Sequence, residues 1–239
     1  MTQRMTQRMT QHIGIVACSA EGAALCYRTI ALEGGQLLGP HDHPEVSMHT
    51  HPLARYMDCI HANDWPGVAE LILSSAEKLA KMGADFLICP DNTIHQAFGL
   101  VEHRSPRPWL HIAKEVANEA GRNGYKRLGV LGTRYLMEGP VYPEKMKAIG
   151  LEHRIPGPRE REKINQIIFD ELVNSQFTPR SLAYFQEVIR TLADQGCDAV
   201  VLGCTEIPLL VPPEASSLPT LDSTRLLAKA AVRKAVGTI

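Results

Sequence analysis

Charge of one sign is missing from this chain, in which 25 Lys and Arg stand against 26 Asp and Glu over 239 residues, for a formal net charge of −1. Without a basic excess or a basic cluster it has no electrostatic footprint for nucleic acid or for an anionic membrane surface. Long hydrophobic runs are also missing. None approaches the roughly 20 apolar residues of a membrane span, and the polar N-terminus lacks the apolar segment of a secretory signal, so the cytoplasm is the expected compartment. Aromatic residues make up only 5% of the chain and cysteines number six: Cys18, Cys26, Cys59, Cys89, Cys197 and Cys204. Six are too few for a disulfide scaffold in so long a chain, and no CxxC pair suggests zinc. Gly129 and Gly132 bracket a strand end without forming GxGxxG or GxxxxGK[ST], which leaves nucleotide binding without support. What remains, at 44% hydrophobic residues, is a globular chain long enough for one large domain or two small ones, each with its own core.

The polar tandem repeat MTQRMTQRMTQ opens the chain, and residues 1–12 are read as a disordered leader. After it, short aliphatic runs alternate with longer amphipathic ones. The runs IGIVAC (13–18), EVSMH (45–49), ADFLIC (84–89), PWLHI (108–112), RLGVLG (127–132), DAVVLG (198–203) and PTLD (219–222) read as strands. Between them, 65–82, 113–121, 162–174 and 179–196 carry apolar residues at helical spacing. Such alternation implies parallel sheets covered by helices, an α/β fold.

Internal repetition sharpens this reading. With an offset of 113, LAKMGADFLICPDNT (79–93) falls on LADQGCDAVVLGCTE (192–206), matching Leu79 to Leu192, Gly83 to Gly196 and Asp85 to Asp198. The flanks agree within a residue or two: IGIVAC (13–18) with LGVLGT (128–133), and RPWLHIAK (107–114) with LPTLDSTR (218–225). The chain is therefore expected to form two similar halves, 13–112 with 216–239 and 113–215, the last strand and helix returning to the first half.

The offset sets Asp91 opposite Cys204, each at the C-terminal end of a strand, where open α/β sheets bind ligands. Asn92, Thr93 and Thr205 follow and are suited to cap helix N-termini, where free N–H groups hold a carboxylate. Halves facing each other about a pseudo-twofold would put an acid/base group on either side of one small anionic ligand. Ser19 and Thr133, after the first strand of each half, and Glu21 are candidates for the cleft rim, though ordinary turn chemistry accounts for them too. The alternative readings are Asp91 as a helix cap and Cys204 as a small buried hydrophobe. The other five cysteines are assigned to core packing, as are Trp65 and Trp109.

PDNTIH (90–95) and LGCTEIPLL (202–210) resemble the two signature strands of the aspartate/glutamate racemase superfamily, with the closest likeness to its aspartate and broad amino-acid racemase branch. LGTRYLMEGPVY (131–142) and REKINQIIFDEL (161–172) resemble further family segments. The resemblance implies two Rossmann-like subdomains related by a pseudo-twofold, an active-site cleft between them, two thiols on opposite faces of the substrate α-carbon, no metal and no pyridoxal phosphate. It also implies a homodimer. On its motifs Cys204 is the second thiol, flanked by Thr205 and Glu206, while Lys163 and Arg55 would hold a side-chain carboxylate. Where the family's first thiol precedes Asn-Thr, this chain has Asp91.

An ordinary thiol has a pKa of about 8.5 and an aspartate about 3.9, so an ionised Asp91 is the weaker base. An Asp91/Cys204 pair can serve if burial raises the aspartate and lets it act as the acid. The leading expectation is a cofactor-independent racemase or epimerase of an amino acid with an acidic side chain. A single-cysteine lyase or hydrolase acting on a small carboxylate, and a small-carboxylate binding protein that has lost catalysis, are the alternatives. His41, His43, His49 and His51 form two H-x-H pairs about a strand, but with no Cys or acidic partner at ligand spacing beyond Asp42 they read as polar loop residues and not as a metal site. His95 is placed either at the site or in packing.

Overall fold

A computed structural model describes residues 10–237. The first half runs β1 (Ile13–Ala17), α1 (Ala20–Leu38), β2 (Val46–Thr50), α2 (Leu53–His61), α3 (Trp65–Lys81) and β3 (Phe86–Ile88). A 3-10 turn (Thr93–Ala97), α4 (Phe98–Val101) and β4 (Trp109–Leu110) complete it. The chain continues through α5 (Ile112–Arg122), β5 (Arg127–Leu131), α6 (Arg134–Glu138), α7 (Val141–Lys147), β6 (Glu152–Arg154), α8 (Pro158–Asp170) and α9 (Pro179–Asp194). It ends with β7 (Ala199–Leu202), α10 (Ile207–Leu210), β8 (Thr220–Asp222) and α11 (Ser223–Ala235).

The strands form two four-stranded sheets of order β2-β1-β3-β4 and β6-β5-β7-β8, and every pairing is parallel. The matching order and register carry the duplication seen in the sequence. Ile13 lies opposite Phe86 as Leu128 lies opposite Ala199, and Leu87 opposite Trp109 as Val200 opposite Thr220. The repeated residues have the same work in each half. Gly83 and Gly196 adopt left-handed φ of 95° and 84° after α3 and α9, a conformation only glycine takes without strain. Asp85 accepts from the His12 amide at 2.7 Å, and Asp198 accepts from the Lys126 and Arg127 amides at 2.6 and 3.1 Å. Each aspartate thus ties the start of the neighbouring strand to its own.

Both sheets are covered on two faces, as all-parallel sheets must be. In the first, α3 packs on one face and α1 with α11 on the other; in the second, α8 and α9 lie on one face and α5 with α7 on the other. The helix after each sheet's last strand therefore crosses over. Ala113, Val116, Ala117 and Ala120 of α5 pack into the second half, and Leu227, Ala228, Ala231 and Val232 of α11 pack into the first. α5 and α11 also pack on each other. This exchange divides the expected return of the C-terminal segment, since α11 goes back to the first half while β8 pairs with β7 in the second. Parallel pairing of Val200–Leu202 with Thr220–Asp222 makes β8 the edge strand of the second sheet.

Of the expected leader, residues 1–9 lie outside the described residues. Gln11 donates to the Ala235 carbonyl at 2.9 Å and His12 is buried, so this end of the segment belongs to the fold. The polar, exposed edge strand β6 carries no apolar signal in EHR and is the strand that the sequence reading lacks. α8 begins at Pro158 instead of 162, because Pro at the first turn and the Glu160 carboxylate, which accepts from the Gly157 amide at 2.7 Å, start the helix before its apolar stripe does.

Candidate active site

Between the halves, at the C-terminal ends of β1, β3, β5 and β7, lies a cavity of about 60 Å³. A water needs about 10–15 Å³ on this measure, so the space suits a small molecule. Asp91, Asn92, Thr93 and Ser19 come to it from the first half, and Thr133, Cys204, Thr205 and Glu206 from the second.

Asp91 and Cys204 face the same cavity, as the repeat implies. The turns behind them are shorter than expected: a five-residue 3-10 turn after Asp91 and the four-residue α10 after Cys204. Asp91 itself supplies the cap, its Oδ1 accepting from the Ile94 amide at 3.2 Å. Its position is fixed from behind by His95, whose Nδ1 meets the Asp91 carbonyl at 2.6 Å. The His95 ring is stacked on Phe98 and buried, and burial lowers its pKa to about 4, so it is neutral at pH 7 and holds the backbone of the site. Burial raises the Asp91 pKa to about 6, with the Glu206 charge adding and the Ile94 amide opposing.

On the other side the Cys204 thiol donates to Glu206 Oε2 at 2.9 Å. Glu206 is only 2% exposed. Burial, and then the Glu206 and Asp91 charges, hold the thiol well above its ordinary value, so Cys204 is protonated at pH 7.

The remaining polar residues divide into two sets. Thr93 and Thr133 meet hydroxyl to hydroxyl at 2.9 Å, and Ser19 and Thr205 at 3.3 Å. The two contacts are counterparts under the pseudo-twofold and cross from one half to the other beside the cavity. Ser19 and Thr133 also cap α1 and α6, accepting from the Gly22 and Leu136 amides at 3.2 Å each. Asn92, in contrast, is committed to the scaffold. Its Oδ1 accepts from Tyr142 Oη at 2.7 Å and its Nδ2 donates to Ser223 Oγ at 2.9 Å, which in turn donates to the Leu202 carbonyl at 2.9 Å. That buried chain takes one Nδ2 hydrogen and one Oδ1 lone pair of Asn92 for the scaffold. Glu21, expected at the rim, is not among the residues lining the cavity; it accepts from Ser175 across the halves at 3.2 Å.

Arg55 and Lys163 do not join the site. Arg55 is on the exposed side of α2 and contacts His51 Nδ1 at 3.3 Å, while its helix turns Leu53, Met57 and Ile60 to the cavity. Lys163 contacts Gln166 Oε1 at 3.1 Å and borders a groove on the outer side of α8 and α9. Helical geometry decides both cases: positions 53, 57 and 60 share one face and 55 does not, and Ile164, Ile167 and Ile168 claim the inner face of α8.

Cys18, assigned to core packing from sequence, lines the cavity. Its thiol shares the cavity wall with the Asp91 carboxyl, and burial followed by the Asp91 charge pushes the thiol well up. Parallel register brings the two together, because Ile15 lies opposite Ile88 and both residues follow three positions on. Cys26, Cys89 and Cys197 are buried in packing. His49, on β2, and His51, just beyond its end, bond Ser75 and Ser74, and among the described residues no group of three or more His, Cys, Asp or Glu could hold a metal. Among the same residues no helix is long and apolar enough to cross a membrane.

Two fused α/β halves, each bringing one thiol and one carboxyl group to a shared cavity, define a class of protein with an acid/base cleft between duplicated domains. The chain belongs to the Asp/Glu/hydantoin racemase family, whose model it matches over residues 13–231. It is 27% identical over 194 residues to the broad specificity amino-acid racemase RacX of Bacillus subtilis (strain 168), covering 80% of this chain and 82% of that protein. A Yersinia pestis protein provisionally designated an Asp/Glu racemase has a crystal structure that superimposes with a TM-score of 0.87 at 30% identity, covering 95% of this chain and 99% of that one. The fold is shared with PH1733 of Pyrococcus horikoshii OT3, an aspartate racemase homologue, at a TM-score of 0.80 and 24% identity over 94% and 99% of the two chains.

Proposed function

We propose that this protein racemises or epimerises an amino acid by taking the α-proton from one face and returning a proton to the other. The observation that carries this reading is the convergence of Cys18 with Asp91 and of Cys204 with Glu206 on one small cavity. On the second-half face, Cys204 gives its proton to Glu206 as its sulfur takes the α-proton. On the first-half face, Asp91 and Cys18 act as one unit. The Asp91 carboxyl, with its pKa near 6, supplies a proton through or beside the thiol to the planar carbanion. In reverse, Asp91 takes the Cys18 proton and the thiolate becomes the base. The proton count balances, since one proton leaves the substrate to one pair and one enters from the other. A thiolate at position 18 also removes the difficulty of asking a carboxylate alone to abstract an unactivated α-proton.

The hydroxyls of Ser19, Thr93, Thr133 and Thr205, which line the cavity, hold the substrate carboxylate in this reading. The test is deuterium incorporation at the α-carbon in D₂O across a panel of amino acids. Turnover should fall by about 10²–10⁴-fold, the usual contribution of a positioned acid or base, in both Cys204→Ala and Asp91→Asn. Variants that retain full exchange would end the reading.

A further inference from the structure

Among the described residues no cationic side chain lines the cavity. Its ionisable side chains are the carboxyl groups of Asp91 and Glu206, the thiols of Cys18 and Cys204, and the Tyr135 phenol. Among the described residues neither Lys, Arg nor His lines it, and Arg55 and Lys163 are occupied outside it. The rest of the wall is apolar. Leu53, Met57 and Ile60 of α2 approach from the first half, and Ile168, Phe169 and Val173, at the end of α8 and just beyond, from the second.

We infer that the substrate is an amino acid with an uncharged, apolar side chain, which lies between α2 and the end of α8, and that dicarboxylic amino acids are excluded. This rests on the racemase reading for the chemistry but on the cavity walls alone for the selectivity. A side-chain carboxylate would be stripped of water against aliphatic groups, with two acids and no counter-charge beside it. An apolar side chain loses nothing there and covers Met57 and Leu53, both half-buried and facing the hollow. A site lacking the partner that a charged group requires rejects that group far more sharply than a hydrophobic pocket rejects a change of one methylene.

L-methionine, L-glutamine and L-glutamate have side chains of similar length and differ in polarity and charge, so they form the test set. Binding is read by calorimetry and turnover by α-deuterium incorporation. L-methionine should bind and exchange at least tenfold better than L-glutamate, with L-glutamine between them. Met57→Arg, and independently Leu53→Arg in case the first variant fails to fold, should narrow or invert that preference by supplying the absent cation. L-glutamate equal to or better than L-methionine in the unaltered protein would overturn the inference while leaving the racemase reading intact. Binding of L-methionine with no exchange of any amino acid would do the opposite, and binding of none of the three would overturn the inference.

Discussion

Replacing Asp91 by Asn should stabilise the folded protein at neutral pH while removing its activity. Burial raises the Asp91 carboxyl from an ordinary 3.8 to about 6, so the native state prefers the neutral form. At 1.36 kcal/mol per pH unit, holding this group ionised at pH 7 costs the fold about 3 kcal/mol. The sign follows from proton binding: between pH 3.8 and 6 the native state holds more proton at this site than the unfolded chain does, so its contribution to stability is present below pH 3.8 and lost as pH rises through 6. Asn is nearly isosteric, and its Oδ1 can keep the bond from the Ile94 amide, so the variant removes the charge and little else. The difference in unfolding free energy, variant minus parent, should be near zero at pH 4, grow to about 3 kcal/mol by pH 7 and then stay level. For a chain of this size that is a rise in Tm of about 6–12 °C. Urea unfolding of both proteins between pH 4 and 8 measures it, and the other titrating groups cancel in the difference. A difference independent of pH, or an Asn variant less stable at pH 7, would refute the burial argument.

Other outcomes follow from particular contacts. Cys18→Ala should lower racemisation by about 10²-fold or more through loss of a positioned acid/base group, whereas Cys26→Ala, buried between β1 and the α1/α11 layer, should leave kcat within a few-fold; steady-state polarimetry distinguishes them. Gly22→Ala would bring a methyl to 2.6 Å from Thr205 Cγ2 and 2.9 Å from the Pro90 carbonyl, and such overpacking should cost about 1–3 kcal/mol by thermal unfolding despite alanine's better helix propensity. Asn92→Ala strands the buried Tyr142 hydroxyl and breaks the chain to Ser223, for an expected loss of about 1–3 kcal/mol; an unchanged unfolding midpoint would argue against its role in joining the halves.

The parts of the fold readable from sequence are those with a local cause. Aliphatic runs gave the strands, and a glycine and an aspartate repeated at 83/85 and 196/198 marked where each half turns a helix into a strand and ties that strand to its neighbour. Asp91 and Cys204 could be paired because both sit in that repeated segment. Cys18 could not, since its place beside Asp91 arises from β1–β3 register across 73 residues of chain, and a cysteine after a strand looks like core. Arg55 and Lys163 show the converse error. Position in a motif suggested a carboxylate clamp, but which face of α2 or α8 turns inward is set by the apolar residues around them. β8 was assigned to the wrong half because strand and helix were kept together, when the crossover falls between them.

Isotope placement in D₂O tests the two-sided cleft most directly. Starting from a single enantiomer of a turned-over amino acid, early time points should show deuterium in the inverted product and protium retained in the remaining substrate, because the removing and returning groups are different. Deuterium entering substrate and product at the same rate would mean one group serves both faces, and the account of two opposed thiol–carboxyl pairs would be wrong.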